Sequence, residues 1–188
     1  LVFVHGGPTS RAEPAYAAKV QFWTTRGFAV LDVNHGGSTG YGRAYRQRLD
    51  GQWGLVDIDD CVTGVQALAD AGEIDPAMVA IRGGSAGGYT TLRALTVSDV
   101  FTAGTSYYGV ADLRGLLADD HKFESRYTTT LVAPWPVGEQ VYLDRSPAFH
   151  VDALRGELLL FQGSDDLVVP LAQATAMADA MAAAGKDV

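Results

Sequence analysis

Ser85 stands in Gly83-Gly84-Ser85-Ala86-Gly87, a serine with glycine two positions before it and two after. An apolar run over residues 78–81 precedes it and a helical pattern over 86–96 follows. That context predicts a strand, a sharp turn carrying the serine, and a helix. Such a turn lifts the hydroxyl above the sheet, while the glycines leave room for neighbouring backbone. The start of a helix also favours developing negative charge. The chemistry this serves is attack on a carbonyl carbon, through an acyl intermediate that water then releases. A serine hydroxyl alone is a weak nucleophile. It requires a base, a group to orient that base, and donors aimed at the oxyanion.

Two places supply oxyanion donors. One is the N–H of the residue after the serine, Ala86. The other is the turn His5-Gly6-Gly7-Pro8 after the first apolar strand, where Pro8 lacks an N–H and leaves Gly7 or Gly6. The orienting carboxylate belongs just past a late strand. Residues 158–161 read as that strand, and the loop after it holds both Asp165 and Asp166. Asp165 also suits a turn residue that accepts backbone hydrogen bonds. The four histidines, His5, His35, His121 and His150, all precede these aspartates, whereas in this arrangement the histidine comes last. His5 belongs to the donor turn. His35 reads as a loop histidine, and His121 and His150 as solvated or hydrogen-bonded structural groups. The expected base therefore lies beyond Val188, in a loop roughly 15–35 residues on.

These residues need a scaffold. Strands are predicted over 1–4, 28–33, 78–81, 102–107 and 158–161, and helices over 14–26, 57–71, 86–96 and 171–184. Ile58, Val62, Val65 and Ala69 fall on one face of the second helix. Residues 36–42 form a glycine-rich loop. Short apolar strands alternating with helices imply a mostly parallel sheet covered on both faces. With the serine turn, this is the pattern of the α/β-hydrolase fold. Residues 110–150 break the rhythm and read as an irregular helical excursion over the carboxyl edge of the sheet, where such sheets bind ligands. The chain opens in a strand without an initiator Met and closes after a helix, so both ends read as cut. The expectation is one catalytic domain lacking its first strands and its last strand, His loop and helix.

Composition narrows the partners. The 188 residues carry a net charge of −8, which disfavours nucleic acid. No apolar run is long enough to span a membrane. The single cysteine, Cys61, cannot form an intrachain disulfide, reads as core, and favours a cytoplasmic setting. No grouping of ligand residues has metal-site spacing, and no metal or organic cofactor is expected. A homo-oligomer is compatible with the sequence.

Four stretches in order, His5-Gly6-Gly7-Pro8, residues 32–42 (Asp32-Val33-Asn34-His35 and the glycines after them), Gly83 to Tyr89, and Gly163 to Pro170, resemble the prolyl oligopeptidase family, and within it the acylaminoacyl-peptidase and dipeptidyl-aminopeptidase branch. The resemblance implies an α/β-hydrolase domain, with a β-propeller expected upstream of Leu1. It implies Ser85 as nucleophile, Gly7 and Ala86 as oxyanion donors, and Asp166 rather than Asp165 as the acid, three residues after Gly163 and four before Pro170. It implies an apolar substrate pocket at Val110, Leu113, Phe123 and Val169. His35 and Gly36 depart from the aromatic and Arg common in that loop. The implied reaction is hydrolysis of an amide near the N-terminus of a short peptide. Two rivals share these features: an esterase on the same fold, and an inactive hydrolase-fold binding protein.

Overall fold

A strand that is apolar along its whole length must be covered on both faces, and a parallel sheet with helices above and below does this. The computed structural model describes residues 1–117 and 126–187. Strands β1 (Val2–Val4), β2 (Leu31–Val33), β3 (Ala80–Gly84), β4 (Ala103–Tyr107) and β5 (Glu157–Phe161) lie in the order β2-β1-β3-β4-β5. Every neighbouring pair is parallel. The chain winds outward from β1 to β2, then returns to place β3 on the other side of β1. That reversal opens a crevice at the carboxyl ends of β1 and β3. Val4 is in register with Gly83, so the loops leaving these two strands emerge side by side.

On one face, helices α3 (Val56–Asp70), α4 (Ala86–Val97) and α7 (Leu171–Ala183) share an apolar core with the sheet. Of the predicted stripe, Ile58 and Val65 are buried and Val62 packs at the margin, and Cys61 is buried beside them. Leu92, Leu95, Met177 and Met181 are fully buried there. Each such side chain contributes about 1.5–3 kcal/mol. Burial also pushes the Cys61 thiol well above its usual range, leaving it inert.

Helix α1 (Ala18–Thr24) covers the other face and buries none of its own residues. Its Trp23 ring and Phe3 of β1 flank the Arg82 guanidinium. The sequence predicts this helix from residue 14, but it starts at Ala18, and the chain before it is anchored to the loop after β2. The Ala12 N–H donates to Asn34 Oδ1, and the Asn34 amide donates back to the Ala12 carbonyl. Strand β2 is shorter than predicted: among the described residues it pairs with β1 alone, over Leu31–Val33.

The glycine-rich loop continues into a short helix that the sequence pattern does not reveal, α2 (Arg43–Arg46). The expected excursion contains α5 (Tyr127–Leu131) and α6 (Glu139–Arg145), joined by turns. It closes a second apolar cluster that includes Trp53, Tyr89, Leu131 and Tyr142. The Tyr89 ring, fully buried, packs against Trp53 with 4.7 Å between centroids. Among the described residues, no helix is long and apolar enough to cross a membrane.

Candidate active site

Strand β3 ends at Gly84 and α4 begins at Ala86, so one residue makes the turn. Ser85 adopts φ 56° and ψ −122°, a conformation that costs a non-glycine residue about 1–3 kcal/mol. The turn is held by the Ser85 N–H donating to the Tyr107 carbonyl of β4, and by the Tyr89 N–H donating to the Ser85 carbonyl, each at 3.0 Å. A Cβ at Gly83 would strike the Gly87 carbonyl, and one at Gly87 would strike the Val4 carbonyl of β1. The two outer glycines of the motif thus let strand, helix and neighbouring strand close on the turn. Among the described residues, only one other non-glycine, Tyr108, has positive φ, at 40°. Its ring lies against Gly84, where an added Cβ would come within 2.9 Å of its hydroxyl.

The loop at residues 5–10 runs directly beside this turn. A Cβ at Gly6 would come 3.6 Å from the Ser85 Cβ. Gly7 has φ 120°, and a side chain there would lie 2.6 Å from the Ser10 nitrogen, so only glycine fits. His5 anchors the loop with both ring nitrogens, Nδ1 against the Gly6 carbonyl at 2.8 Å and Nε2 against Ser38 Oγ at 2.7 Å. Burial pushes this imidazole down to about 4, which keeps it neutral. His35 is a loop histidine, as the sequence suggests, but a buried one. It is 1% exposed and stacks on the His5 ring at 4.6 Å. Gly36 and Gly37 permit this, because a Cβ at either would strike Val56 or Leu49.

The late loop distinguishes the two aspartates. Asp166 Oδ1 accepts the backbone N–H groups of Val168 and Val169, both at 2.9 Å. The backbone acceptor in this turn is therefore Asp166, not Asp165. Asp165 lies 3.2 Å from the Ser164 hydroxyl. The Val169 and Val168 N–H groups hold the Asp166 carboxyl below its ordinary value, so it is ionised at neutral pH. Its second oxygen has only a long contact with the Gln162 amide, at 3.4 Å.

Among the described residues, no histidine is bonded to Ser85 or to Asp166. His150 contacts the Leu143 carbonyl at 3.1 Å. His121 and Phe123 lie outside the described residues. Val110, Leu113 and Val169 are brought together, but as core: they are buried in one apolar cluster with Ala86. A cleft of about 500 Å³ lies against the carboxyl ends of β1 and β3, with His5, Glu13, Arg82, Gly84 and Tyr108 on its walls.

Two contributors escape the sequence reading. Gln173, in the first turn of α7, accepts the Ala111 and Asp112 N–H groups at 2.8 Å and donates to the Asp112 carbonyl at 3.0 Å. It ties the helix after Asp166 to the turn that carries Val110. Tyr127, at the start of α5, places its hydroxyl 2.7 Å from Thr9 Oγ1 and 3.2 Å from the Gly7 carbonyl. All five of these bonds span more than fifty residues, and no local pattern signals them.

A family model described as the prolyl oligopeptidase family matches residues 14–188. Dipeptidyl aminopeptidase BIII of Pseudoxanthomonas mexicana is 33% identical over 189 residues, which cover 97% of this chain and 27% of that protein. The structure of a Mycobacterium tuberculosis puromycin-hydrolyzing peptidase superposes with a TM-score of 0.95 at 51% identity, covering 98% of this chain and 28% of that one. Pyrococcus horikoshii acylaminoacyl peptidase superposes with a TM-score of 0.91 at 29% identity, covering 100% of this chain and 31% of that one. The chain thus spans less than a third of the length of each. The match over nearly all of its residues, on a parallel sheet with the α/β-hydrolase fold, makes this chain a member of the prolyl oligopeptidase family of serine peptidases.

Proposed function

We propose that these residues form most of the catalytic domain of a serine peptidase that hydrolyses amide bonds near the N-terminus of short peptides. The observation that carries this reading is the single-residue turn at Ser85, strained at φ 56° and lying against the glycine loop of β1. Relatives named as an aminopeptidase and an acylaminoacyl peptidase support the substrate class. Ser85 Oγ attacks the carbonyl carbon. A histidine supplied from beyond Val188 takes the hydroxyl proton and later returns it to the leaving amine. Asp166, kept ionised by its backbone donors, orients that histidine and stabilises the imidazolium. The N–H groups of Gly7 and Ala86 bind the oxyanion, one such donor being worth about 2.7–4 kcal/mol. Water then releases the acyl group.

Val110, Leu113 and Val169, which pack with Ala86, are assigned to the apolar substrate side of this site, and Phe123, which lies outside the described residues, to the same role. A propeller domain before Leu1 completes the protein. The free, buried thiol of Cys61 supports a cytoplasmic setting, which fractionation of cells would test.

The test uses the full-length protein. It should label with a fluorophosphonate and cleave aminoacyl amides, and Ser85→Ala should abolish both, lowering kcat by at least about 10⁴-fold. Cleavage of short esters with none of amides would replace the peptidase reading with an esterase. Failure to label would remove Ser85 from the chemistry. Residues 1–188 alone should be inactive, because the base is assigned to the chain beyond Val188.

A further inference from the structure

We propose that Tyr127 is a positioning residue for the oxyanion loop, binding the excursion to the backbone that aims the Gly7 N–H. The inference rests on Gly7 being an oxyanion donor. Gly6 and Gly7 have no side chains to lock them, so the aim of the Gly7 N–H depends on ties made around them. One flank is tied by His5 to Ser38, and by the Thr39 N–H donating to the Ser10 carbonyl at 2.9 Å. The other flank is tied by Tyr127. A phenol has one proton, so the consistent arrangement has the Tyr127 O–H donating to the Gly7 carbonyl and the Thr9 O–H donating to the phenol oxygen. These bonds fix the peptide that follows Gly7, and hence the rotation of Gly7 about its own ψ.

The phenol is itself held. In α5, the Thr130 carbonyl accepts the Gly51 N–H at 2.8 Å and the Leu131 carbonyl accepts the Trp53 N–H at 3.1 Å. Helix α5 is therefore docked on the body of the domain, with Leu131 buried in the second cluster. The tie runs from that cluster, through α5 and the Tyr127 ring, to the loop beside Ser85. Because donors fixed beforehand stabilise charge that appears only in the transition state, loss of the tie should lower kcat and leave KM nearly unchanged.

The experiment compares full-length Tyr127→Phe, Thr9→Val, Thr9→Ser and the Tyr127→Phe/Thr9→Val double variant. It measures kcat and KM on an aminoacyl anilide and the inhibition constant of a peptide aldehyde, whose hemiacetal places an oxyanion in the site. Tyr127→Phe should lower kcat about 3- to 10-fold, the range for one hydrogen bond, and weaken the aldehyde by the same factor. Thr9→Val should show a smaller loss of the same kind, Thr9→Ser should restore most of it, and the double variant should be no worse than Tyr127→Phe. If Tyr127→Phe does not fold, the Thr9 pair carries the same comparison. An unchanged kcat, a change in KM alone, or additive losses would overturn the proposal. Gly7→Ala separates the two readings. A large kcat loss there with none at Tyr127 sinks only the tie, whereas wild-type kcat there sinks Gly7 as a donor.

Discussion

The two loops proposed to flank the reacting carbonyl are held in opposite ways. The loop at residues 5–10 is fastened from outside, to Ser38 and Thr39 on one flank and to Tyr127 on the other. The loop at residues 162–170 is fastened largely to itself. Asp166 takes the N–H groups of Val168 and Val169, and the Gln162 amide reaches the Val169 carbonyl at 2.9 Å. Leu167 and Val168 at its tip are 91% and 75% exposed. The difference follows from composition. Glycines cannot hold a backbone, so the first loop relies on two other segments, residues 38–39 and Tyr127. An aspartate followed by two or three residues can close its own turn, so the second loop needs few neighbours. The first should be sensitive to changes far from it in sequence, and the second mainly to changes within it.

The largest expected effect lies in the self-held loop. Asp166→Asn should lower kcat by about 10⁴-fold in the full-length enzyme, whereas Asp165→Asn should stay within a few-fold of wild type. Equal losses at both positions would erase the distinction that the hydrogen bonds draw. Next comes the borrowed loop. Gly7→Ala should lower kcat by about 10²–10³-fold with little change in KM, because a methyl there meets the Ser10 backbone and turns the donor away. Gln173→Leu tests an outside tie of the late region. It leaves the Ala111 and Asp112 N–H groups without their acceptor, and should cost about 1–3 kcal/mol of stability in denaturant titrations.

The smallest effect is a pH dependence. The His5 imidazole is pushed from 6.5 to about 4 in the folded chain, first by burial and further by His35. Between those values the unfolded chain binds the proton and the folded chain does not. The stability His5 contributes is therefore fully present above pH 6.5 and falls as pH drops towards 4. The slope will be modest, since the ring is only partly buried. His5→Gln should flatten that part of the stability profile, measured as the denaturant midpoint against pH, while carboxylate protonation below pH 4 remains.

Much of this was readable from residue order. The predicted strands and helices all form, with ends shifted by a few residues, because short apolar runs can satisfy their backbones only in a covered sheet. The serine turn was readable because its outer glycines are required by the contact of Gly83 with Gly87 and of Gly87 with the adjoining strand. The roles of Asp165 and Asp166 in their turn were not. Residue types alone allow either to take the backbone N–H groups, and only the path of the chain selects Asp166. The burial of His35 was not readable for a related reason. Its neighbours are glycines, which look like an open loop in sequence but here allow the backbone to press against Leu49 and Val56.

What the sequence determined by itself is local. It set a serine on a one-residue turn, a glycine loop that no bulkier residue could replace, and a carboxylate able to close its own turn. Each depends on steric limits and hydrogen-bond valences that act over a few residues. What only the tertiary structure decided is which distant groups hold those parts still. The stacking of His35 on His5, the grip of Gln173 on the turn after β4, and the reach of Tyr127 to Gly7 all join segments far apart in the chain. They form only after the sheet order has brought those segments together, so no spacing in the sequence records them.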